Sequence, residues 1–282
     1  MYRTLISTDA LAAAIDDPSF VVVDVRHDLM QPDHWGEDQY RAAHLPHARF
    51  THLDRDLSAQ KTGRNGRHPL PAPADAAALF GRLGIDAHKQ VIAYDQNSGM
   101  YASRLWWMLR WLGHDNVAVL DGGFDKWSRE HRGVSAEIPG AAPAAFVIGA
   151  TLPTASVQDV LDSLPTHARF IVDARAPERY RGEVEPMDPV AGHIPGAHNW
   201  PYGRNLNPDN TFKSQAELAA GFAEFLGPTP PARIVHQCGS GVTACHNILA
   251  MVHAGYPQTA LFPGSWSEWV ADRSRPVATG PR

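Results

Sequence analysis

Two cysteines, Cys238 and Cys245, are the only thiols in 282 residues, and they stand seven apart in IVHQCGSGVTACHNILAMVHAG. That stretch reads as a buried apolar strand, a short turn with two glycines, then a helix, which puts Cys238 at the strand end. Gly239 and Gly241 remove side chains, so successive backbone N–H groups can turn inward as an anion-binding nest. The helix that follows adds the partial positive charge of its N-terminus. Both effects favour a thiolate, the nucleophilic form of cysteine. They would equally favour the terminal anionic sulfur of a persulfide, Cys–S–S⁻. A cysteine phosphatase uses a similar cradle but needs an arginine near the end of the loop. Here that place reads Thr243-Ala244-Cys245-His246, and phosphate chemistry is disfavoured. A cysteine is more often a small buried hydrophobe, which is the reading for Cys245, one heptad into the helix. Two cysteines build no disulfide framework, and with no clustered histidines at ligand spacing they give no zinc site.

The elements that must hold this loop occur twice. VVVDVR at 21–26 returns as FIVDAR at 170–175, AAHLPHARF at 42–50 as AGHIPGAHN at 191–199, and LDGGFDKW at 120–127 as LFPGSWSEW at 261–269. VIAYDQNSGMYASR at 91–104 parallels IVHQCGSGVTACH at 234–246. Asp24 to Asp173 and His44 to His193 are both offset by 149, and Ala102 to Ala244, Gly122 to Gly264 and Trp127 to Trp269 by 142. Order and spacing held over four blocks mean two copies of one unit that differ by loop deletions. Continuous Val/Ile-rich runs at 20–25, 91–94, 170–174 and 233–236 predict strands buried on both faces. Stretches at 8–16, 74–83, 101–112, 154–164, 215–225 and 242–254 predict helices, with Thr8-Asp9 and Thr154 offering caps. Alternation of the two implies an α/β fold, with a mainly parallel sheet flanked by helices in each half. The expected domains are 1–138 and 154–282, joined by a Pro/Gly-rich linker at 139–153.

Composition narrows the partners. The chain is 44% hydrophobic and 20% charged, with a formal net charge of −5, and its 21 arginines and 4 lysines form no basic run, so nucleic acid is not expected. No apolar run approaches the roughly 20 residues of a membrane span, and the acidic start does not read as a signal peptide. A reducing cytoplasm is the default compartment.

Together these blocks resemble tandem-domain rhodanese-type sulfurtransferases over nearly the whole chain, and CGSGVTA is similar to the active loop of the 3-mercaptopyruvate branch. The resemblance implies a catalytic second half, with Cys238 carrying sulfane sulfur. Gly239, Gly241, Val242 and Thr243 would line the donor. The first half, with Asp95 where the second has Cys238, would be an inactive structural partner. Donor binding maps to Arg179 in DARAPERYRGEVEP, while Arg175 reads as a structural ion-pair partner because Arg26 repeats it. A proton-relay set maps to Ser240, His68 in GRHPLP and Asp54 in FTHLD. The family's second carboxylate-binding arginine is missing: GEVEPMDPVAGH has Met187 and Asp188 there, and Arg67 is the residue that would have to compensate. Gly239 and Ser240, in place of basic residues after the cysteine, favour 3-mercaptopyruvate over thiosulfate as the donor. Cyanide, a small thiol or thioredoxin would be the acceptor, with no cofactor. A rhodanese-like binding scaffold is the non-enzymatic alternative, which the intact CGSGVTA loop argues against.

Overall fold

The computed structural model describes residues 1–140 and 142–281. Ala141, within the expected linker, and Arg282, at the end of the expected second domain, lie outside the described residues. The chain divides into two compact units, Met1–Ser58, Pro71–Leu152 and Asn207–Phe212 in one, Ala59–Leu70, Pro153–Leu206 and Lys213–Arg282 in the other.

The first unit is a five-stranded parallel sheet of β1 (Leu5–Ile6), β2 (Phe20–Asp24), β3 (Arg49–Phe50), β4 (Gln90–Tyr94) and β5 (Val117–Leu120), in the order β1-β5-β4-β2-β3. Its helices are α1 (Thr8–Ala14), α2 (Trp35–Ala42), α3 (Pro73–Arg82), α4 (Ala102–Trp111) and α5 (Gly123–Arg129). All five residues of β4 are buried, as a strand covered on both faces requires. The second unit repeats the plan with β6 (Phe170–Asp173), β7 (His198–Asn199), β8 (Ile234–Gln237) and β9 (Ala260–Leu261), all parallel, in the order β7-β6-β8-β9. Its helices are α6 (Val157–Ser163), α7 (Pro177–Arg181), α8 (Gln215–Leu226), α9 (Thr243–His253) and α10 (Ser265–Trp269).

Two caps differ from expectation by a residue or two. Ser7, not Thr8, accepts the Ala10 amide at the start of α1, and Ser156, not Thr154, forms a reciprocal capping box with Asp159 at the start of α6. Thr154 instead bridges to Leu261. The Pro/Gly-rich stretch after Ala141 is irregular but packed on the first unit. There Ala144 donates to the Gly81 carbonyl at 2.9 Å and Leu152 to that of Trp111 at 3.1 Å, and Phe146 stacks edge-on against Phe80 at 5.0 Å. Proline and glycine set the backbone conformation there, and the stretch stays exposed or only partly buried.

The repeated motifs make matching contacts in both units. Arg26 grips Asp24 at 2.7 Å and the Ala43 carbonyl at 2.6 Å. Arg175 grips Asp173 at 2.6 Å and the Gly192 carbonyl at 2.7 Å. Tyr40 stacks on His44 at 4.1 Å, Tyr180 on His193 at 3.9 Å. These buried guanidinium–carboxylate pairs satisfy the backbone at each strand end, where an unpaired polar group would cost about 1–3 kcal/mol.

Candidate active site

Strand β8 ends at Gln237 and α9 begins at Thr243, so residues 238–242 form a tight loop between a buried strand and a helix N-terminus. Cys238 is buried, and its Sγ accepts the Gly241 amide at 3.2 Å. Gly241 has φ +78°, and a Cβ there would stand 2.3 Å from the Pro263 carbonyl oxygen. Only glycine combines that dihedral with that approach. Helix α10 anchors the loop through consecutive residues. Ser265 Oγ accepts the Cys238 amide at 3.1 Å. Trp266 N donates to the Cys238 carbonyl at 3.0 Å and Ser267 N to that of Gly239 at 2.9 Å. The GSWSEW repeat block therefore has a task that its sequence did not disclose. Cys245 is fully buried and donates to the Gly241 carbonyl at 3.3 Å. Val242 is buried and Thr243 partly so.

His68, expected in the first half, belongs to the Ala59–Leu70 segment of the second unit. That segment is tied down there by the Arg67 amide donating to Ser267 Oγ at 3.0 Å. The placement brings His68 Nδ1 to 2.7 Å from Ser240 Oγ, with both residues buried.

Two guanidiniums flank the residue after the cysteine. A Cβ on Gly239 would meet Arg67 Nη2 at 2.8 Å and the Arg179 nitrogens at 3.6 Å. Buried carboxylates hold both. Arg179 is paired with Glu185 at 2.7 Å and Asp188 at 3.3 Å, and Arg67 donates through Nη1 to the other oxygen of Asp188. Arg175 reaches Glu185 at 3.4 Å. Burial opposes the charge of Arg175, but Asp173, Glu185 and Cys238 outweigh it and raise its pKa. Burial also pushes the Asp188 carboxyl above its ordinary value, against the pull of Arg67 and Arg179. Arg179 and Arg67 thus both lie beside Gly239.

In the first unit, β4 and β2 pair in the register of β8 and β6, with Tyr94 opposite Asp24 and Gln237 opposite Asp173. Asp95 is therefore the counterpart of Cys238. Its carboxylate accepts the amides of Asn97 (3.2 Å), Gly99 (2.9 Å), Tyr101 (2.7 Å) and Ala102 (3.1 Å). Asp54 is also in this unit, its carboxylate 3.6 Å from His27 Nε2. His27, His52 and Asp54 offer ligand atoms within 4.8 Å of one another, a grouping hidden by their spacing in sequence. Both nitrogens of His52 are already engaged, Nε2 with the Asp33 carbonyl at 2.8 Å and Nδ1 with the Asp54 and Arg55 amides at 3.1 and 3.2 Å.

Comparison with known proteins follows the same division. The rhodanese-like domain family matches residues 7–130 and again 155–272. The chain belongs to the rhodanese-like family. It is 42% identical to a probable 3-mercaptopyruvate sulfurtransferase of Pseudomonas aeruginosa, over 98% of both proteins. It is 38% identical to the putative thiosulfate sulfurtransferase SseB of Mycobacterium tuberculosis, over 99% of this chain and 98% of that one. The 3-mercaptopyruvate sulfurtransferase SseA of Escherichia coli shares the fold with a TM-score of 0.81 at 31% identity, over 94% of this chain and 99% of that one. In this rhodanese-like chain both repeats keep the Asp–Arg strand end, but only the second follows its central strand with cysteine. An ion pair of Arg179 with Glu185 was among the pairings its neighbours Glu178, Glu183 and Glu185 offered, whereas Asp188 escaped sequence reasoning as a counter-ion because acidic residues near arginines are common on surfaces and only burial distinguishes it.

Proposed function

We propose that the chain is a sulfurtransferase in which Cys238 accepts sulfur from 3-mercaptopyruvate and holds it as a persulfide. The observation that carries this is a buried Cys238 Sγ that accepts the Gly241 amide, with two guanidiniums beside Gly239 and a Ser240–His68 hydrogen bond of 2.7 Å. Cys238 thiolate attacks the donor sulfur, an S–S bond forms, and the C–S bond breaks with its electron pair leaving on carbon as the enolate of pyruvate. That enolate needs a proton, which the Ser240–His68 pair is placed to deliver. Asp54 is assigned to the same relay on the resemblance alone. Arg179 and Arg67 meet the donor carboxylate, since guanidinium matches carboxylate geometry. An acceptor thiolate, cyanide or a reduced thioredoxin then attacks the outer sulfur and restores the Cys238 thiolate.

Thiosulfate is the second reading. Paired arginines suit its charge, and a relative 38% identical carries that name. Sulfite leaves as a stable anion and needs no proton, so Ser240 and His68 separate the two donors. The test is sulfur transfer to cyanide from each donor, with the persulfide on Cys238 followed by intact mass. Ser240→Ala and His68→Gln are expected to slow 3-mercaptopyruvate turnover by about 10²-fold while sparing thiosulfate. Equal losses with both donors would remove the relay, and no added sulfur mass from either donor would remove the persulfide.

A further inference from the structure

The arginines beside the loop carry their own counter-ions. Arg67, Arg175 and Arg179 are matched by Asp173, Glu185 and Asp188, three charges against three, within one connected set of contacts. Glu185 is the fixed hub, buried and accepting from Arg175, Arg179 and the amides of Met187 and Asp188. Asp188 differs. One oxygen takes Arg67 and the other takes Arg179, so a single buried carboxylate bridges the two cations that flank Gly239. Neither guanidinium is used up by this. Arg67 Nε is buried without a hydrogen-bond partner, and Arg67 Nη2 together with both terminal nitrogens of Arg179 lies nearest the space beside Gly239. Lys61, Arg67, Met187, Asp188 and Ser267 also line a cavity of about 260 Å³.

We propose that Asp188 is a specificity-determining residue: as internal counter-ion to Arg67 and Arg179 it leaves the arginine cluster with directed donors but no surplus positive charge of its own, which favours a monocarboxylate donor over a dianion. The inference rests on the sulfur-transfer reading and concerns only the choice of donor. A site with unbalanced arginines would attract a dianion twice as strongly as a monoanion. Removing one negative charge should therefore shift selectivity by one unit-charge interaction, screened by nearby solvent to about tenfold.

The experiment measures the first half-reaction alone, persulfide loading of Cys238, as kcat/KM for 3-mercaptopyruvate and for thiosulfate. In the wild type, loading by at least one donor is the control, and its failure overturns the sulfur-transfer reading together with this inference. With loading intact, Asp188→Asn is expected to raise the thiosulfate-to-mercaptopyruvate ratio about tenfold, mainly through KM and less so at high salt. Arg67→Gln is expected to lower the same ratio, and Arg67→Gln/Asp188→Asn, which restores the charge count, to return it to the wild-type value. An unchanged ratio in Asp188→Asn overturns the proposal. If Asp188→Asn does not fold, an unchanged ratio in Arg67→Gln overturns it instead.

Discussion

The two loops that follow the central strands, 95–101 and 238–242, share a backbone plan and differ in what fills it. In the first, Asp95 turns its own carboxylate into the loop and takes four amides. In the second, Cys238 takes one, from Gly241. The first shows what the cradle is built to bind, which is a compact anion. On the proposed function the second would keep that capacity for the persulfide anion. One side chain at the strand end thus separates a loop whose carboxylate takes four amides from a loop whose thiol takes one.

The largest effect should come from making the second loop resemble the first. Cys238→Asp is expected to abolish sulfur transfer by more than about 10³-fold, as Cys238→Ser would, yet to leave thermal stability equal or higher because a carboxylate meets the loop amides. A marked fall in Tm for Cys238→Asp would break the comparison.

The next test compares Gly241 with Gly99. Both have positive φ, but a Cβ on Gly241 meets a backbone carbonyl at 2.3 Å, whereas on Gly99 the nearest atom is a Val119 methyl at 3.2 Å. Gly241→Ala should destabilise by about 3 kcal/mol and Gly99→Ala by about 1 kcal/mol, read by chemical denaturation. Equal costs would mean that the two loops are braced alike.

Asp95→Asn keeps the shape of the first loop but turns a donating NH2 toward amides that are themselves donors. It is expected to cost about 2 kcal/mol with little effect on Cys238 loading. Loss of loading in a folded variant would show that the first loop does more than hold itself together.

The smallest effect is a pH dependence at His236, which occupies in β8 the register of Ala93 in β4. Burial alone pushes its pKa down to about 3, and neither ring nitrogen has a hydrogen-bond partner. Because the unfolded chain binds the proton more readily, this contribution is complete above the unfolded value near 6.5 and is lost as pH falls toward 3. Between pH 7 and 5.5 the stability should drop by about 1 kcal/mol, and His236→Ala should flatten that slope. A slope unchanged in His236→Ala would assign the titration elsewhere.

Much of this was legible in the residues. The repeat offsets announced two like units, the apolar runs marked the central strands to within a residue or two, and CGSGVTA between a strand and a helix marked the loop. The five-residue helices α7 and α10 went unread because so short a run carries too little periodicity to stand out. The α7–Asp188 stretch, with a missing arginine where the family has one, was read as a loss. Its acidic residue turned out to be buried between two cations.

Sequence by itself determined the duplicated α/β plan and the strand-end cysteine with its glycine loop, because those depend on local pattern and on residue types that no neighbour can replace. Tertiary structure alone decided three things. It placed the 59–70 segment in the second unit and so set His68 against Ser240. It put Arg67 next to Arg179 across 112 residues of chain, and it made Asp188 their shared counter-ion. Each is a contact between segments far apart in sequence, fixed by packing and by the cost of burying a charge without a partner, and neither leaves a trace in local spacing.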